Sequence, residues 1–548
     1  MPVVTFDYND FLNILGYKLS KDEFLERIPM IGAELDRVEN NKVSIEFFPN
    51  RPDLLSVEGI ARAARAFFGF EKGLKKYKIK KSDIILRVDP TVKKVRPFIV
   101  TALVKNVNMT DELVASLMDM QEKLHFGLGR ERKKVAIGVH DFDQVRPPFV
   151  YKAVEPESIK FVPLAKTEEM SLREILEKHE KGVAYAHLLK GFDKYPVILD
   201  RNNNVLSFPP IINGSLTEVT PFTKNLFIDV TGHDLDAMRF ALNILVTALT
   251  ERGGKIFTTT VEYDDKTIVT PDLKPATKNL SIDYTNKILG TKLGKKEIVE
   301  SLLKMGYNVD VEGDEIQVHI PAWRADILHQ IDLVEDAAIG YGFDRFKTDL
   351  PKSMTFGKEL EYKEFHTILR DILVGLGFNE VVTLSLTNED DEYKKMGLTP
   401  KSNVKIENPI GEEYSIVRSS LIPSLLKILS RNKHNPLPQK IFEIGIVADE
   451  NAKNRWHLAA AEIDARVGFS DCKALVEAIF RDAGIEWKTR EGDHPAFIRG
   501  RCASIFVKNK KIGVFGEIHP KTITAFELEH PLIAFEIDIE NLKKPDLI

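Results

Sequence analysis

The chain has 548 residues, of which 43% are hydrophobic and 29% charged, an ordinary globular composition with enough apolar material for several cores. A single core rarely grows past about 250–300 residues, so three to five domains are expected. With 77 basic against 82 acidic residues the net charge is −5, which excludes a broad basic surface for nucleic acid and leaves only a local or partner-shared patch.

The N-terminal stretch MPVVTFDYND lacks the basic start, apolar run and cleavage site of a secretory signal. Residues 3–70 read as a helix–strand–helix unit. Asp7-Tyr8, Ile14-Leu15-Gly16 and Lys18-Leu19 come first, then an amphipathic helix ending near Met30. A strand at Val43–Phe47, the corner Arg51-Pro52-Asp53 and a helix into Phe68-Gly69-Phe70 follow. Residues 81–260 alternate strand-like runs (Ile84–Val88, Phe98–Ala102) with helices at Glu112–Lys123 and Asp234–Glu251. The polar and proline content of 264–277 predicts a linker.

Residues 280–343 then repeat the first unit. Asp283-Tyr284, Ile288-Leu289-Gly290 and Lys292-Leu293 recur, with a helix to about Met305, a strand at Ile316–Val318, Arg324-Ala325-Asp326 and a second helix into Tyr341-Gly342-Phe343. Each copy spans about 65 residues. After Pro351 the spacing predicts a helix over Glu364–Leu376 and strands at Ile441–Ile444 and Ile512–Phe515. The class is α+β, in four modules: 1–80, 81–263, 270–346 and 350–548. No apolar run approaches the roughly 18–20 residues of a membrane span. Cys472 and Cys502 are too few for a disulfide framework or a zinc site, so a reducing, cytoplasmic location is expected.

Four acids stand out in the second copy. Asp332, Glu335 and Asp336 fall at i, i+3 and i+4 on a predicted helix and share one face, with Asp326 just upstream. Like charges so close repel, and a hard divalent cation would offset that. Acids near a helix N-terminus also complement the helix dipole or simply face solvent. In the first copy Asp53 matches Asp326, but Gly59, Arg62 and Ala63 replace the other three, which favours a local task over a folding requirement.

The run Pro321-Ala322-Trp323-Arg324-Ala325-Asp326 through Asp332, Glu335 and Asp336 to Tyr341-Gly342-Phe343 resembles a module of phenylalanyl-tRNA synthetase β subunits. Asn50-Arg51-Pro52-Asp53 resembles the family's first module. Gln121–His125 with Ala136–Asp141 resembles its central one. Asn408-Pro409, Arg418–Leu421, Phe442–Gly445 and Gly516–Pro520 resemble its last. The shorter layout, without the extra terminal domains of the bacterial subunit, is similar to the archaeal and eukaryotic form.

The resemblance implies a subunit of an ATP-dependent ligase that attaches phenylalanine to its tRNA, with the chemistry in an α subunit and an (αβ)2 heterotetramer as the assembly. It implies two repeat modules flanking an editing-like domain, then a class II synthetase-like antiparallel sheet domain without catalytic motifs. Ile441 stands where that class has an arginine before Phe442-Glu443, and Arg499 and Arg501 lack a multi-glycine run. ATP and the tRNA are therefore substrates of the complex, and no P-loop or dinucleotide fingerprint offers another nucleotide site. The family's magnesium, shared with the α subunit, falls on Asp326, Asp332, Glu335 and Asp336.

The resemblance further implies hydrolysis of tyrosine wrongly attached to that tRNA, since a phenylalanine pocket rejects an added hydroxyl only by about 10²-fold. The candidates are His140, Asp141, Asn213, Asp229 and Thr231, acting through a positioned water because no nucleophile set is apparent. The same residues also suit turn capping. A scaffold subunit without editing and a free-standing deacylase are the alternative functions.

Overall fold

The computed structural model describes residues 2–313, 315–350, 356–401, 403–540 and 542. It divides into two compact units, Met1–Leu350 and Pro351–Ile548. The class is mixed α/β.

In the first unit, residues 3–67 run strand, helix, helix, strand, strand, helix: Val3–Asp7, Tyr8–Leu15, Lys21–Arg27, Ala33–Glu39, Lys42–Phe47 and Val57–Phe67. Residues 276–341 run in the same order: Ala276–Ser281, Ile282–Leu289, Lys295–Lys304, Asn308–Glu312, Glu315–Ile320 and Gln330–Tyr341. In each, the last strand lies in the middle of a three-stranded antiparallel sheet. The single strand expected per copy is therefore corrected to three. The outer strand Ala33–Glu39 is polar and mostly exposed, so it carries no apolar alternation to announce it.

Local chemistry explains the matching helices. Asp7 accepts hydrogen bonds from the Asn9 and Asp10 amides, and Ser281 accepts one from the Tyr284 amide. Gly16 and Gly290 end these helices with left-handed backbone. The two segments bury their apolar faces in one shared core, in which Phe11, Phe24, Phe47 and Ala61 join Ile298, Leu302, Tyr307 and Leu333. Each of the leucine, isoleucine and phenylalanine side chains contributes about 1.5–3 kcal/mol by leaving water.

Between them, a five-stranded sheet (Ile79–Lys80, Lys255–Phe257, Phe98–Lys105, Leu226–Gly232, Val135–Asp141 in spatial order) carries helices Asp111–Phe126 and Leu235–Glu251 on one face. Its other face packs on a seven-stranded sheet, with Phe227 and Phe149 rings 4.4 Å apart. Strand Phe98–Lys105 serves both cores by alternation: Val100, Ala102 and Val104 face the helices, Ile99 and Leu103 the second sheet. The expected linker at 264–277 is also corrected. Thr267–Thr270 pairs antiparallel with Thr259–Glu262, and Ala276 already begins the next module.

In the second unit, a seven-stranded sheet runs antiparallel except for its edge strand Asn379–Glu380, which pairs parallel with Gln439–Ala448. Helices Glu361–Gly375 and Phe469–Asp482 pack on one face and Ile422–Arg431 on the other. Among the described residues no helix is long and apolar enough to cross a membrane.

Gly59 lets helix Val57–Phe67 touch the Arg51–Asp53 corner, because a Cβ there would stand 1.9 Å from the Asp53 carbonyl oxygen. Gly59→Ala is expected to lower the melting temperature by displacing that backbone, a cost of about 1–3 kcal/mol. Thermal unfolding checks this, and an unchanged midpoint would refute the close contact.

Candidate functional site

Antiparallel register puts Asp229 opposite Gly138 and Thr231 opposite Ala136. Both side chains, two residues apart on one strand, open on the same face. Gly138 leaves that face room. A Cβ there would lie 2.1 Å from Asp229 Oδ2 and 2.8 Å from His140 Nε2. A cavity of about 330 Å³ results, lined by Asn213, Asp229 and Thr231 among apolar side chains such as Leu117, Ile137 and Phe208.

The five expected site residues separate here. Asn213 reaches the wall and donates to the Val139 carbonyl at 3.3 Å. His140 lies wholly buried behind the wall, bonded through Nε2 to Asp229 and through Nδ1 to Thr217 Oγ1, both at 2.8 Å. It orients the carboxylate and does not face the cavity. Asp141 is a correction. Its carboxylate accepts from the Asp143 amide at 3.0 Å and the Thr223 hydroxyl at 2.9 Å, so it caps a turn outside the cavity.

Several wall residues escape sequence reasoning. The loop after helix Asp111–Phe126 holds Arg130, Glu131 and Arg132 at φ 48°, 54° and 67°, a left-handed run costing about 1–3 kcal/mol per residue. Arg96 secures it from below. Its Nη2 and Nη1 donate to the Arg132 and Lys133 carbonyls, and its Nε donates to Thr231 Oγ1 at 2.9 Å. Burial pulls the Arg96 guanidinium down to about 10. The loop aims Arg132 into the cavity, where it donates to the Ile211 carbonyl at 2.8 Å and to Glu122 at 2.6 Å.

His125 Nε2 accepts the Ile137 amide at 2.8 Å, which leaves the proton of the neutral ring on Nδ1, 3.7 Å from Glu122. Burial lowers the His125 pKa and so favours that neutral form. Among the described residues, His125 Nδ1 (which faces Glu122 only at 3.7 Å), Arg132 Nε and Ser207 Oγ are buried without a close hydrogen bond, and all three residues line this one cavity. Buried polar atoms left unpaired call for a ligand or water.

The acidic corner is built differently from its expected use. Arg324 closes its fork on Asp326 at 2.8 and 2.6 Å and reaches Asp336 at 2.7 Å. Tyr307 donates its hydroxyl to Asp336. Asp332 accepts the Leu328 and His329 amides at 2.7 and 2.6 Å, closing the helix start. Glu335 stays exposed, its pKa raised by partial desolvation and by Asp336, Asp332 and Asp326. The donor chemistry suits a hard cation. The arrangement in this chain alone does not: among the described residues no group of three or more His, Cys, Asp or Glu side chains is set to hold a metal. Arg51 and Asp53 form the same bidentate fork, at 2.8 and 2.9 Å, so the matched arginine–aspartate pairs build the corner itself.

Three family models match the chain: a tRNA synthetase B5 domain over residues 278–343, a B3/4 domain over 87–256, and a phenylalanyl tRNA synthetase beta chain CLM domain over 347–539. A phenylalanine–tRNA ligase beta subunit from Archaeoglobus fulgidus is 46% identical over 542 residues, covering 98% of each chain. One from Methanococcoides burtonii is 46% identical over 98% of this chain and 100% of its own. The crystal structure of an N-terminal fragment of the Pyrococcus horikoshii phenylalanyl-tRNA synthetase beta subunit superimposes with a TM-score of 0.60 at 43% identity, covering 62% of this chain and 99% of that one.

The Glu122 carboxylate is held down to about 2 by His125, which faces it, and by Arg132, against the opposing effect of burial. Its folded-state pKa is thus below the unfolded one. Its contribution to stability is complete above the unfolded value and is lost as pH falls toward about 2. Glu122→Gln is expected to flatten stability against pH between about pH 5 and pH 3, by under about 1 kcal/mol because the carboxylate is half-exposed. Urea unfolding across that range measures it, and an unchanged slope would contradict the assignment.

Proposed function

The chain belongs to the phenylalanine–tRNA ligase β subunit family, and on that premise we propose that its central module removes tyrosine wrongly attached to the phenylalanine tRNA. The observation that carries the reading is the cavity around Asp229, whose carboxylate His140 orients and whose wall holds three unpaired polar atoms. A site that accepts tyrosine and rejects phenylalanine needs a buried group left unpaired until the phenol arrives. Asp229 is assigned as acceptor of the phenol proton. Arg132 and Asn213, also in the wall, hold the polar end near the ester; a water attacks its carbonyl carbon, the acyl C–O bond breaks, and the tRNA hydroxyl leaves carrying a proton from that water. Residues 3–70 and 276–343 are read as copies of one duplicated module.

The ligation itself belongs to the α subunit, with ATP as its substrate. In residues 350–548 several polar groups over the sheet pair with one another, although Glu392 Oε2 is left buried without a hydrogen bond. Arg418 pairs with Glu443 at 2.8 Å, His457 with Glu536 at 2.6 Å, and Glu392 accepts the Ser419 and Ser420 amides. A sheet so filled supports a docking role in a class II-like domain. Val382, Leu384 and Leu386 add a row of exposed apolar side chains at alternate positions beside the edge strand. The assembly proposed is a cytoplasmic (αβ)2 heterotetramer. A magnesium ion at the acidic corner belongs to the same proposal: Glu335 and Asp332 lie outside the Arg324 fork and would hold it with ligands from the partner.

Tyrosine release from mischarged phenylalanine tRNA by the assembled α–β complex tests the editing reading. Asp229→Ala is expected to slow release at least about tenfold while phenylalanine attachment is unchanged. A wild-type complex that releases no tyrosine would leave a scaffold subunit instead. Co-purification with the α subunit tests the assembly. Val382→Asp with Leu384→Asp should abolish co-elution, whereas Glu335→Gln should keep the complex and lower its magnesium content. A metal content that Glu335→Gln does not change would remove the ion from this corner.

A further inference from the structure

A second, smaller cavity of about 120 Å³ lies where the two arginine–aspartate corners meet, within the first unit and distinct from the cavity around Asp229. Six cationic side chains line it: Arg51, Arg62, Arg65, Lys72, Lys75 and Arg324. Only two carboxylates share the wall. Asp53 gives both its oxygens to Arg51, and Glu71 accepts a hydrogen bond from Tyr17. The acids that balance the other cations do not line the cavity. Glu251 takes Arg65 and Lys75, and Asp326 and Asp336 take Arg324.

The cationic face is incompletely satisfied. Arg324, with its side chain 2% exposed, leaves Nη1 buried with no hydrogen-bond partner. Arg62 is buried and donates to the neutral Thr247 hydroxyl and the Asp53 carbonyl, with no ion pair among the described residues, while its guanidinium lies 4.5 Å over the Trp323 ring. Arg51 and Arg324 repel each other across the junction. Buried charge without an opposite partner is costly, and an anion between the two corners would relieve it. The loop that closes the cavity is fixed in place: the Gly73 amide donates to the Leu303 carbonyl at 2.9 Å, and the Leu74 amide to Asn308 Oδ1 at 2.8 Å.

We propose that this junction binds one small tetrahedral oxyanion, of the phosphate class, held by Arg51, Arg62 and Arg324 from the corners and by Lys72 and Lys75 from the loop. Guanidinium forks match tetrahedral oxyanions in geometry and charge. The cavity's volume of about 120 Å³ suits a single such ion better than a bulkier ligand. The ion would join the two copies electrostatically at the point where they meet.

Isothermal titration of the full chain with inorganic phosphate, at ionic strength matched with chloride, tests this. Saturable binding is expected, together with a phosphate-dependent rise in melting temperature that chloride does not reproduce. Lys72→Glu, an exposed change, should weaken phosphate about tenfold. Lys76→Glu, an exposed lysine outside the wall, should leave it unchanged and so controls for general electrostatics. AMP should bind more weakly than phosphate. No saturable heat with phosphate, equal losses in the two lysine variants, or tighter binding of AMP would each overturn the proposal.

Discussion

The apolar seam between residues 3–67 and 276–341 is the constraint on which the first unit rests. Each segment is three strands and three helices, a size at which a chain buries too small a share of its surface to be stable alone. Packed together they make one core from both ends of a 350-residue unit. Everything between must therefore leave and return to the same place. Strand Ile79–Lys80 and strand Lys255–Phe257 satisfy this by lying side by side and parallel as the central module begins and ends. Helix Leu235–Glu251 strengthens the joint, since Glu251 takes Arg65 at 2.6 Å and Thr247 accepts from Arg62 at 2.8 Å.

Buried arginines do much of the remaining fastening, and for a common reason. A guanidinium carries five donors in a rigid plane, so one side chain can satisfy carbonyls that no regular ladder reaches. Arg65 caps the end of helix Tyr8–Leu15 through the Ile14 and Leu15 carbonyls. Arg96 holds the left-handed loop that aims Arg132, and the same fork fixes Thr231 in the cavity wall. The strain of that loop is thereby confined to the place where a ligand is proposed to bind.

The acidic corner illustrates how the same residue type serves two ends. Asp326 and Asp336 neutralise Arg324, and Asp332 caps a helix, so three of the four carboxylates have structural partners within the chain. Glu335 has none among the described residues and feels the repulsion of the other three. The surplus negative charge at this corner is what a cation brought by a partner subunit would meet.

Much of this architecture is legible in local pattern. The 3–4 spacing in 235–251 and 361–375, the capped helices after Asp7 and Ser281, and the paired Arg51–Asp53 and Arg324–Asp326 corners all follow from short-range rules. So does the common face of Asp229 and Thr231, since strand side chains alternate. The polar strand Ala33–Glu39 and the strand at Thr267–Thr270 were illegible because exposed edges need no apolar period. Alone, the sequence determined the main helices with their apolar faces and the motifs that place the chain in its family. Only the tertiary structure decided which polar groups meet. Asp229 lies against His140 because two strands 89 residues apart pair in one register and Gly138 leaves the gap, while Asp141, next in the chain, turns away to cap a bend. Such pairings depend on long-range register and burial, and no local spacing encodes them.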